Sequence, residues 1–165
     1  MLEALSTSQY ASWMTTSKWA YPTFLTAHGL GMAVVVGLTV MISLRVLGFP
    51  KQLPLAAYAK TVPFGIAGFV VNALSGTALF FGDPATLAAN PSFIFKIVTI
   101  VIGIVLLRQF YVRTLKRAVA CDVAGEPEYR PSALDKGLAV ASILLWLIAV
   151  IVSGRLIAYL APAPM

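Results

Sequence analysis

Two stretches of this chain, SFIFKIVTIVIGIVLL from Ser92 and GLAVASILLWLIAVIV from Gly137, are apolar on every side of any helix they form. Runs of that kind have no place on a water-facing surface, and a strand of a membrane barrel would alternate apolar with polar residues over about ten positions. Helices remain, because hydrocarbon requires each backbone N–H and C=O to be satisfied inside the segment. Two further runs share this character, giving spans of about 20–44, 62–81, 93–110 and 138–160. Each is close to the roughly 20 residues that cross a hydrocarbon core of about 30 Å. Only 11% of the 165 residues are charged, against about a quarter in a soluble domain, which excludes a water-soluble globular protein. The expected fold class is all-α: an integral membrane four-helix bundle, one transmembrane domain over 1–165.

Basic residues set the orientation. Nine of the twelve Lys and Arg lie by two loops: Arg45, Lys51 and Lys60 after the first span, and Arg108, Arg113, Lys116, Arg117, Arg130 and Lys136 after the third. Cations gather on the cytoplasmic side. Both termini and the GDPATLAANP loop then face the other way, an N-out/C-out arrangement expected of a multi-pass protein in a bacterial inner membrane. Topology also accounts for the net charge of +6 without nucleic acid as a partner. Ahead of the first span, Tyr10, Trp13, Trp19 and Tyr21 suit headgroup level, and the segment lacks the basic n-region of a cleaved signal. A short N-terminal interfacial helix is expected there. The third loop, CDVAGEPEYRPSALDK, is the expected flexible segment, and RQFYVRTLKRAV before it is expected to prolong the third helix.

The chain has no glycine-rich phosphate loop and no Ser/His/Asp set. With one His and one Cys, Cys121, it can form neither an internal disulfide nor a protein-only zinc site within one chain. Hydrolytic chemistry is disfavoured. What remains is polar residues inside hydrocarbon, where each charge costs about 2.5–3.5 kcal/mol at a helix centre. His28 is either an axial ligand to haem iron or a histidine bonded to a carbonyl or hydroxyl of a neighbouring helix. Lys96 and Arg155 share its depth in the outer half. They are either a site for a buried anion (haem propionates, a quinone oxygen, a lipid phosphate) or long stems reaching the headgroups. Asp83 either pairs with one of them or closes the GDP turn. Asn72, near mid-membrane, needs an amide partner, either His28 or a cofactor edge. Met32 lies on the same helix face as His28, so it cannot ligate the opposite side of a planar ring. The iron would be five-coordinate, or the ring shared with a partner chain.

Small residues mark the helix faces. Gly65, Gly68, Asn72, Ser75 and Gly76 form one strip, and Lys96, Thr99 and Gly103 another. Gly29, Ala33 and Gly37 repeat every four residues, the spacing of a small-residue packing stripe.

WAYP (19–22), His28 followed by GLG, SLRVLGFP (43–50), ANPSFIFK (89–96) and SGRLIAY (153–159) together resemble a family of small bacterial four-helix inner-membrane proteins classed as a domain of unknown function. In that family the turn after the first span commonly reads Asp-Leu-Arg, where Ser43 stands here, and a Glu often precedes the His, where Leu25 stands. More distantly, the chain is similar to HemJ-type protoporphyrinogen oxidases and to the membrane domain of copper resistance protein D. That resemblance implies His28 as haem ligand, with Arg45 and Lys96 at matching positions.

The expected function is that of a haem b-binding integral membrane protein, an electron-transfer or accessory subunit of a membrane redox complex. His28 would ligate iron, Lys96 and Arg155 would compensate anionic groups, and Asn72 would complete the cofactor site. The lipid bilayer and a redox partner or a second copy of the chain would be its partners. The alternative is a cofactor-free structural or assembly subunit whose intramembrane cations bind lipid or partner helices. A permease ranks lower, because so few ligands are available.

Overall fold

Glycine, proline and short polar side chains divide the chain into helices at the positions where backbone geometry requires them. The computed structural model describes residues 2–151, which are all-helical with no strand among them. Two short helices, α1 (Leu2–Ser6) and α2 (Gln9–Thr16), occupy the stretch where one is expected. They are followed by α3 (Ala20–Leu47), a 3-10 turn (Leu55–Thr61), α4 (Val62–Gly82), α5 (Pro84–Ala89) and α6 (Pro91–Phe110). A π-helical turn (Tyr111–Leu115) then leads into α7 (Lys116–Val123), and α8 (Ala133–Ile151) follows. The helix at Pro91 therefore does run on past Phe110, as RQFYVRTLKRAV predicts. Three helices are long and apolar enough to cross a membrane: α3, α4 with the turn before it, and α6 with its extension. The fourth expected span coincides with α8 as far as Ile151; its remainder lies outside the described residues.

Gly48 ends α3 at φ 109°, a left-handed conformation that L side chains avoid, and its N–H bonds back to Arg45 O at 3.0 Å. At the start of α6, Asn90 Oδ1 accepts the Ser92 N–H at 2.9 Å, and Pro91 fills the first position, where no donor is needed. Asp83 caps α5 by accepting from Thr86 N–H at 3.4 Å. The acid therefore closes the GDP turn, and the expected loop contains a short helix.

The central helix is α3. Its apolar window is 39% buried, against 11% and 17% for the windows of α4 and α6. Helix α4 lies along α3, α8 packs against both α3 and α6, and α6 is held mainly through α8. The core has two parts. Ile42, Val46, Leu55, Tyr58, Phe110 and Leu115 fill the α7 end of the bundle, and Val35, Trp146 and Ala149 sit nearer the α5 end.

The small-residue stripe expected on α3 is not the face that packs. A Cβ on Gly29 or Gly37 would meet nothing within 4 Å, and both residues, with Ala33, are exposed. The close approach is at Gly31, where a Cβ would come within 2.7 Å of Asn72 N and Gly68 O. A four-residue repeat identifies a smooth face but not what it meets. Here the His28 ring needs shelter, and it turns the face carrying Gly31 and Val35 inward.

The loop expected to be flexible is pinned. Arg45 donates from Nε to Leu53 O at 2.6 Å and from its terminal nitrogen to Glu128 Oε1 at 2.6 Å, and the same oxygen accepts the Leu55 N–H at 2.9 Å. Asp135, 1% exposed, ties the end of that loop to the π-helical turn. At the opposite end, Tyr10 OH donates to Ala78 O at 3.0 Å, and Met14 packs on Gly82, so α2 is fastened to α4.

Candidate functional site

Three of the polar residues singled out within the spans, His28, Asn72 and Lys96, meet between α3, α4 and α6. His28 Nδ1 lies 3.0 Å from Asn72 O. A carbonyl oxygen only accepts, so this contact places the proton on Nδ1 and leaves a lone pair on Nε2. Asn72 returns the interaction, its Nδ2 donating to His28 O at 2.8 Å. The two residues thus form a reciprocal clamp between α3 and α4, possible because Gly31 lets the backbones close and Gly76 makes room for the imidazole. A Cβ on Gly76 would stand 2.9 Å from His28 Cε1. Ser75 Oγ, 3.4 Å from Nδ1, donates to Val71 O at 2.6 Å. From α6, Lys96 Nζ approaches His28 Nε2 to 3.4 Å. Lys96 therefore turns inward, joining a third helix to the clamp.

Below this group a narrow cavity is lined by Met32, Val35, Phe69, Asn72, Lys96, Ile100, Trp146 and Ala149, with about 20 Å³ of free space. That is room for about one water molecule. Trp146 is 6% exposed and its indole N–H has no hydrogen-bond partner among the described residues. Residue types and spacing do not single out Trp146. The available signal was a lone Trp at mid-span, whose N–H needs an acceptor once buried. Thr99 and Gly103 share the inward face of α6 with Lys96, and Gly103 leaves space for the Trp146 ring, 3.2 Å from where its Cβ would be.

Among the described residues no carboxylate pairs with Lys96. Asp83 is engaged at the α5 cap, and the ion pair found, Arg45–Glu128, is at the α7 end. Arg45 lies 17 residues along α3 from His28, on the order of 25 Å by helix rise, so the resemblance positions Arg45 and Lys96 belong to different ends of the bundle. Arg155 lies outside the described residues.

The clamp bears directly on the haem expectation. An iron-ligating histidine typically donates its second ring nitrogen to a carbonyl or carboxylate, and His28 Nδ1 does so. Nε2, however, faces Lys96, and the space beside it is one water wide. In this closed arrangement the residues do not admit a macrocycle. Among the described residues no three His, Cys, Asp or Glu side chains gather as a metal site. Comparison with family models, with curated proteins and with solved structures finds no match.

Proposed function

We propose that this chain is a multi-pass protein of a bacterial inner membrane, a four-helix bundle with its fourth span over about 138–160 and N-out/C-out topology. We further propose that it serves as a cofactor-free structural or assembly subunit. The reading is carried by one observation: His28 and Asn72 bond to each other's backbone, and Lys96 Nζ stands against His28 Nε2, the nitrogen that an iron would need. Apolar residues exposed on α4 and α6, among them Phe64, Leu74, Val98 and Val105, suit lipid or partner helices. Trp13, Trp19 and Tyr21, also exposed, suit the headgroup layer at the α5 end.

Absorbance of the purified protein tests the function. The expected spectrum has no Soret band. His28→Ala is expected to lower unfolding stability in detergent by about 1–3 kcal/mol, since it removes the bond from Nδ1 to Asn72 O and the partner that Lys96 Nζ has in Nε2. A second reading, a haem b-binding electron-transfer component, is favoured by the Nδ1 contact to a carbonyl. A Soret band that disappears in His28→Ala while the protein still folds would establish it instead.

Topology is tested by the single cysteine. Cys121 is partly exposed on α7, so a membrane-impermeant thiol reagent should label it only after cells are permeabilised. Labelling in intact cells would reverse the orientation.

A further inference from the structure

We propose that the cavity beside Lys96 holds a monatomic anion of halide size, bound by the Lys96 ammonium and the Trp146 indole N–H. Several independent features converge on that guest. Lys96 has three donors and, among the described residues, a single hydrogen-bond contact, to His28 Nε2. Trp146 lines the same cavity and is buried with its N–H unpartnered. A buried donor without a partner calls for an ordered water or an ion beside it. Both groups donate and neither accepts, which selects a ligand that accepts from both sides. The cavity's about 20 Å³ suits a single small body and excludes a phosphate or a carboxylic acid.

Charge distinguishes an anion from a water. Lys96 is a cation among Met32, Phe69 and Ile100, and no described carboxylate pairs with it. A water satisfies the two donors but leaves that charge uncompensated. An anion compensates it, and its attraction to the ammonium is strengthened by the low dielectric around it.

The chain has three tryptophans, and Trp13 and Trp19 are exposed near its start, so the double variant Trp13→Phe, Trp19→Phe leaves Trp146 as the reporter. In detergent solution at constant ionic strength, with gluconate as the inert counter-ion, bromide, a quencher close to chloride in size, is expected to quench Trp146 in a saturating manner. Chloride should displace it, and Lys96→Gln should weaken the apparent affinity at least tenfold. Chloride should also raise the Tm of the parent protein relative to gluconate but not that of Trp146→Phe, which keeps an aromatic ring, smaller than the indole, and loses the N–H. This arm stays decisive if Lys96→Gln does not fold. Quenching that is absent, or linear in bromide and unchanged in Lys96→Gln, together with equal Tm values in chloride and gluconate, would overturn the proposal in favour of a water. The site rests on the closed, cofactor-free core, and the two fail separately. A Soret band removes the closed core, whereas a colourless protein with linear quenching removes the anion alone.

Discussion

Gly31→Ala is expected to destabilise the protein while Gly29→Ala, two positions away on the same helix, leaves it as stable or more so. The added methyl at position 31 would lie 2.7 Å from Gly68 O and Asn72 N, both backbone atoms that no rotamer change can move aside. Helices α3 and α4 must separate, and the His28–Asn72 contacts at 3.0 and 2.8 Å open with them. Overpacking of this kind costs about 1–3 kcal/mol, and the lost clamp adds to it, since a polar group stranded in hydrocarbon finds no water. At position 29 the methyl meets nothing within 4 Å, and alanine is the better helix former by about 1 kcal/mol. Unfolding of the two variants in mixed micelles gives the comparison. Equal shifts would mean that the α3–α4 contact is not centred on Gly31.

That contrast shows how far the sequence carries. Helices were legible from hydropathy, because a run with no polar face has only one stable conformation in hydrocarbon, and the ends were legible wherever Gly48, Asp83 or Pro91 dictated backbone geometry. The pairing of His28 with Asn72 was also foreseeable, since each has to find a partner away from water. Rotation about the helix axis was not. In an all-apolar helix the inward face is chosen by a few contacts, and Gly29, Ala33 and Gly37 form as regular a stripe as the face that actually packs. Trp146 was hidden for the same reason, being one apolar residue in a run of them until its unpartnered N–H is seen beside Lys96.

The loop between α7 and α8 makes contacts that composition does not announce. Gly, Pro and charge usually mean a mobile linker, but here Glu128, Tyr129 and Asp135 are spent on fixed partners. Two of those contacts reach residues far away in sequence, Glu128 to Arg45 and Asp135 to Thr114. A local reading could register only the capping signal S-A-L-D at 132–135.

Asp135→Ala is expected to cost on the order of 3 kcal/mol, because one carboxylate satisfies several donors at once. Its Oδ2 accepts from Tyr129 OH at 2.8 Å, Ser132 N at 2.8 Å and Ser132 Oγ at 2.7 Å, while Oδ1 accepts from Thr114 Oγ1 at 2.9 Å. Ser132 Oγ in turn accepts the Asp135 N–H at 3.3 Å, completing a reciprocal cap on α8. Thr114 is 0% exposed, so alanine leaves its hydroxyl buried without the carboxylate. Asp135→Asn should cost less, about 1–2 kcal/mol. Its oxygen can keep the three donors on the Oδ2 side, and its amide can donate to a rotated Thr114 hydroxyl. The two variants also separate in acid. Burial alone would push the Asp135 carboxyl up, but the hydrogen bonds from Ser132, Tyr129 and Thr114 outweigh it and hold its pKa below the ordinary carboxylate value. A group whose folded pKa is depressed stabilises the fold above its unfolded value, about 3.9 for Asp, and loses that contribution as pH falls from there through the folded pKa. Stability of the parent should therefore decline below about pH 4 more steeply than that of Asp135→Asn, which has no proton to take up at this position. Parallel acid profiles would mean that the carboxylate is not what holds the π-helical turn to α8.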